Sequence, residues 1–77
     1  MRDRKHVTKI WFEHEEEKGR LRRVCVIETD LQTDPLQEGY DTSEMDDLIA
    51  DAGEWFRENQ ISMDVVRVVP KGWREQR

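Results

Sequence analysis

Apolar and polar positions alternate along two stretches early in the chain, Val7 to Glu15 (VTKIWFEHE) and Leu21 to Thr29 (LRRVCVIET), both rich in β-branched and aromatic residues. This pattern fits strands, and Glu16-Glu17-Lys18-Gly19 between them holds a glycine that permits a turn, so a β-hairpin is expected. Asp30 to Asp41 (DLQTDPLQEGYD) contains Pro35, Gly39 and several aspartates, the ingredients of a loop.

From Ser43 the period changes. Met45, Leu48, Ile49, Ala52 and Phe56 recur at helical spacing, which gathers them on one face about 100° wide. Ser43-Glu44-Met45-Asp46 has the form of a helix start, with Ser43 or Thr42 as N-cap and Glu44, Asp46 and Asp47 at the positive end of the dipole. The helix is expected to end between Glu58 and Gln60. Gly53 flanks the apolar stripe, where a small residue would let the helix approach a sheet. Met63 to Val69 (MDVVRVV) reads as a last strand, closed by Pro70, which has no N–H to give to a ladder. The fold class is therefore α+β in ββαβ order: a three-stranded mixed sheet with one amphipathic helix packed on one face. The helix makes a crossover, so the second and third strands run parallel within a shared sheet. One domain spans residues 1–77, with 1–5 and 71–77 expected as flexible tails.

Alternation sorts the strand side chains onto two faces. Ile10/Phe12, Val24/Val26 and Val66/Val68 are the most apolar matching sets and are assigned beneath the helix. The other face then carries Val7, Lys9, Trp11 and Glu13, then Leu21, Arg23, Cys25 and Ile27, then Met63, Val65, Arg67 and Val69. That set is too apolar for a plain solvent face, and an apolar patch left uncovered by a lone helix marks a contact surface. Self-association as a homodimer through Trp11, Arg23, Cys25, Val65 and Arg67 is the expectation. Chain length points the same way. A core in a chain of 77 residues seldom supplies more than about 3–5 kcal/mol, and with Cys25 as its one cysteine the chain forms no internal disulfide.

Charge adds a second surface. Charged residues, at 40%, outnumber the 35% that are hydrophobic, a balance that leans toward disorder until the periodicity of the apolar positions is counted. The net charge of −5 is unevenly spread: residues 13–17 carry −4 and residues 28–58 carry −10, while residues 1–12, 18–27 and 59–77 carry +3, +4 and +2. On the helix, Asp47, Asp51, Glu54 and Glu58 form an acidic ridge, with Trp55 between the ridge and the buried face. Such a ridge is in most proteins a solvated face. The sharper reading is a docking ridge for a basic protein partner, anchored by Trp55.

Candidate chemistry is sparse. Cys25 and His14 are the one pairing that suggests nucleophilic catalysis, and the face assignment sends them to opposite sides of the hairpin, out of hydrogen-bond reach. His6 and His14 stand roughly 27 Å apart along one strand at ~3.3 Å per residue, too far to share an ion. The loop from Asp30 to Asp41 begins and ends in Asp like a calcium loop, but Pro35 stands where the turn requires glycine and Asp41 where a bidentate glutamate belongs. There is no phosphate-binding glycine loop and no nucleophile elbow. No catalytic residue, metal or cofactor is expected.

The alternative is a nucleic-acid-binding sheet platform, with Trp11 stacking bases while Arg23 and Arg67 follow the phosphates. The acid block would repel a phosphate backbone, which ranks this below protein binding. A second alternative, resting on charge alone, is that the acid block imitates nucleic acid. Trp73 either folds back onto the sheet or inserts into a partner. The charged start of the chain lacks the apolar core of a secretory signal and no apolar run is long enough to span a bilayer, so a cytoplasmic location without membrane contact is expected.

Overall fold

The structure, a computed structural model, describes residues 6–73. It shows β1 (Val7–Glu17), β2 (Arg20–Thr29), α1 (Thr42–Glu58) and β3 (Val65–Pro70) in the ββαβ order of an α+β fold. The sheet is mixed and open, with strand order β1-β2-β3. β1 and β2 are antiparallel, and β2 and β3 are parallel through the crossover helix.

The turn sets the faces. Glu17 pairs with Arg20, so the hairpin loop is only Lys18-Gly19, with both residues at positive φ (52° and 78°), as a type I′ turn requires. A two-residue loop pairs even-numbered residues of β1 with odd-numbered residues of β2, as in Ile10 with Ile27 and Phe12 with Cys25, and odd with even, as in Trp11 with Val26. The expected assignment of Val24 and Val26 beneath the helix is thereby corrected. Cys25 and Ile27 pack there, against Leu48, Ala52 and Phe56, and Val24 and Val26 lie on the opposite face. β3 keeps its expected faces, because Val66 and Val68 stand beside Cys25 and Ile27, and Val65 stands beside Val24. Val7 is also corrected. A bulge sets Thr8 and Lys9 against Glu28, which switches the parity of β1 and turns Val7 into the helix-side core. Met63 joins that core too, since it precedes β3 and is not bound by strand alternation.

The helix begins one residue earlier than expected. Asp41 is the N-cap and accepts from the Glu44 amide at 3.1 Å, in place of Ser43 or Thr42. Its end falls in the expected interval: Ile61 N–H donates to the Phe56 carbonyl (2.8 Å), Gln60 N–H to that of Arg57 (3.3 Å), and Gln60 takes the left-handed conformation at φ 55°. These are the two bonds of a Schellman cap, and they turn Ile61 back onto the core. Gly53 does not serve a close approach. A Cβ added there would meet only the Arg57 guanidinium, at 3.8 Å.

The second face is closed by the chain itself. Val24, Val26 and Val69 are 1%, 1% and 3% exposed, with Trp11, Val65 and Trp73 packed against them. Residues 71–73, expected in a flexible tail, form a turn in which Trp73 N–H donates to the Pro70 carbonyl (3.1 Å). The rest of the expected tails, 1–5 and 74–77, lies outside the described residues. Glu28 ties this corner together, accepting from Thr8 Oγ1 (2.5 Å) and from the Gly72 N–H (3.2 Å). The Thr8 bond first, then the Gly72 amide and the charges of Lys9 and Lys71, hold its carboxyl below the ordinary glutamate value against the opposing effect of desolvation. Among the described residues, no helix is long and apolar enough to cross a membrane.

Candidate functional site

The residues expected to mediate self-association divide between the two faces. Trp11, Val65 and Arg67 lie on the face away from the helix, where Trp11 donates from Nε1 to Glu13 (2.9 Å) and Arg67 donates to Glu15 (3.1 Å). Cys25 is fully buried beneath α1 and unavailable to any partner. Arg23 shares the parity of Cys25. Its backbone N–H and side chain go to the loop before β3, with the N–H 2.8 Å from Asp64 Oδ2 and Nη2 3.2 Å from Ser62 Oγ. Trp11, Arg23 and Arg67 thus do not form one platform, because the two-residue turn sets Arg23 on the side opposite the other two.

The chemistry of Cys25 follows from its burial. His14 and Cys25 share a face, contrary to the expectation that alternation separates them. Desolvation pushes the thiol up to about 11, so it stays protonated at neutral pH, and the thiolate that nucleophilic catalysis needs is suppressed. Among the described residues, no cluster of His, Cys, Asp or Glu side chains is arranged to hold a metal ion.

The acidic ridge gains definition from the structure. On a helix whose buried line is Met45, Leu48, Ala52 and Phe56, the residues Trp55, Asp51, Glu58, Asp47 and Glu54 follow one another around a single flank at 100° per residue. That flank overhangs β1. Trp55 stacks on Phe12 with ring centroids 6.3 Å apart and planes 27° apart, and rests on Phe56 at 5.4 Å. Further along the same side, Glu44, Asp47, Leu48 and Asp51 meet His6, Val7 and Leu31 around a shallow groove of about 140 Å³. Phe12 is 51% exposed despite the stack, so half of its surface lies open beside Trp55.

Sequence reasoning placed Trp55 and the four carboxylates but missed Phe12 as their neighbour. Phe12 was expected beneath the helix; it lies on the helix face, but its ring stays half exposed and stacks on Trp55. The end of β1 adds Glu16 to the same face of the sheet, whereas Glu13, Glu15 and Glu17 have the opposite parity, with Glu15 paired to Arg67 and Glu17 to Arg22. Compared with known proteins, the chain matches no family model, no curated sequence and no solved structure.

Proposed function

We propose that this chain is a non-catalytic interaction module that docks a basic protein segment on the side formed by the acidic flank of α1 and the outer edge of β1. The observation that carries this reading is the half-exposed Phe12 stacked on Trp55, the residue that borders the acidic flank of Asp47, Asp51, Glu54 and Glu58 on α1. An aromatic pair supplies desolvated contact area, and the carboxylates above it select a cationic partner and speed its approach. Self-association through the face away from the helix loses its motive, because Trp11, Val65 and Trp73 cover the buried valines within one subunit.

The test is a fluorescence-anisotropy titration with a short labelled peptide that alternates arginine and valine, set beside one that alternates glutamate and valine. The basic peptide binds and the acidic one does not. Replacing Asp47, Asp51 and Glu58 together by Asn, Asn and Gln weakens the basic peptide roughly tenfold at ~150 mM salt, since exposed charge pairs contribute up to ~1 kcal/mol each. Equal affinity of the neutralised protein for the basic peptide overturns the proposal.

A further inference from the structure

We infer that the basic segment binds as a fourth strand along the free edge of β1, beneath the acidic flank of α1. This rests on the docking reading above and specifies its geometry. β1 is an outer strand, and among the described residues no other strand pairs with its far side. The direction of its free hydrogen-bonding groups follows from Arg23. That residue donates its N–H to Asp64 Oδ2 and accepts the Asp64 N–H at its carbonyl (3.0 Å), so both of its backbone groups point toward β3. Its partner His14 then points its own pair outward, and by alternation so do Ile10, Phe12 and Glu16. An incoming strand finds a row of donors and acceptors at two-residue spacing, as in other cases of strand addition.

The same four residues set their side chains on the helix face, so the row runs past the open ring of Phe12 and under Trp55. Alternation puts every second side chain of the added strand on the helix face, where arginines stack on that ring and reach toward Asp51 and Glu58, while the valines between them fall on the opposite face of the sheet. A second copy of this chain fits the edge poorly. Antiparallel pairing of β1 with itself leaves strands ~4.8 Å apart and brings two acidic helix flanks to face each other across the junction. The edge therefore suits an extended cationic peptide from another protein.

The experiment follows backbone amides by ¹H–¹⁵N NMR hydrogen exchange while the arginine–valine peptide is added to the full chain. A His14→Pro variant serves as the second arm. The His14 N–H takes no part in the β1–β2 ladder, and proline is tolerated on an edge at such a position. Slowed exchange at Ile10, Phe12 and His14 on peptide addition is the expected result, with at least about tenfold weaker binding to His14→Pro while its other amides keep their shifts. If the peptide binds, depends on the helix carboxylates, yet leaves those amides and the proline variant unaffected, strand addition is wrong and the acidic docking reading stands. Absence of binding to the unaltered protein overturns both. Protection of the same amides without peptide, together with a doubled mass in sedimentation, gives the edge to a second copy and overturns the choice of partner. Should the proline variant fail to fold, the exchange result on the unaltered protein decides alone.

Discussion

The two faces of the sheet are sealed by different means. The face carrying Cys25, Ile27 and Val68 lies under a helix that adds Leu48, Ala52 and Phe56 and is held at both ends by caps. The face carrying Val24, Val26 and Val69 has no element of its own above it. It is closed by Trp11 from the neighbouring strand, by Val65, and by Trp73 from the turn after β3. A small domain can thus complete a second mini-core with two indoles, provided the last turn is anchored, and Glu28 provides the anchor through Gly72.

Phe56→Ala removes a ring buried to 7% exposure and is expected to cost about 3–5 kcal/mol, comparable to the whole stability of a domain this small. Far-UV circular dichroism at 25 °C should show a largely unfolded chain, and a native spectrum with an unshifted melting temperature would deny α1 its role as the main cover. Trp73→Ala tests the other face. Its half-buried indole is expected to contribute about 1–2 kcal/mol, seen as a lower urea midpoint with the helix signal kept below the transition.

Acid separates the two faces further, since Glu28 and Asp64 lie away from the main core. Glu28 and Asp64 are held below their ordinary values, Glu28 first by Thr8 and Asp64 first by the Arg23 amide. A folded-state value below the unfolded one means that the contribution to stability is present at neutral pH and is lost as pH falls through the folded-state value. Stability should therefore decline below the ordinary carboxylate range. In Glu28→Gln part of that decline disappears, while stability at neutral pH is lower; an unchanged pH profile would mean that the anchor is idle. The smallest effects concern α1 itself. Gly53→Ala should raise stability by about 0.5–1 kcal/mol, because the new methyl meets only a flexible guanidinium. Gln60→Gly should add roughly 1 kcal/mol by relieving a left-handed residue at the cap. Chemical denaturation measures both, and a loss in either would show that the position has a contact beyond those described.

Much of this architecture is legible in the residues, and the part that is not has a definite origin. The helix stripe survives because it covers one side only, and the faces of β3 survive because its regular alternation is independent of the hairpin turn. β2 is buried at six consecutive residues from Val24 to Thr29, so its hydrophobicity no longer alternates and its parity has to come from the turn. Matching the most apolar sets, Ile10/Phe12 with Val24/Val26, ignores the parity that the turn imposes and carries Arg23 and Cys25 to the wrong side. The bulge at Thr8–Lys9 leaves no mark in the pattern, and Val7 was misplaced accordingly. On the docking side, Trp55 and the carboxylates were readable from helical spacing, whereas Phe12 enters only once its ring is seen to be half exposed beside Trp55.

The central claim is that one subunit seals its own second face, which leaves the β1 edge and the acidic flank as the surface for a partner. Mixing differently isotope-labelled copies and recording filtered nuclear Overhauser effects from the Trp73 indole to the methyls of Val24, Val26 and Val69 tests it most directly. The account predicts contacts within a single labelled copy only. Contacts found only between unlike copies would contradict it and restore the sheet-face dimer.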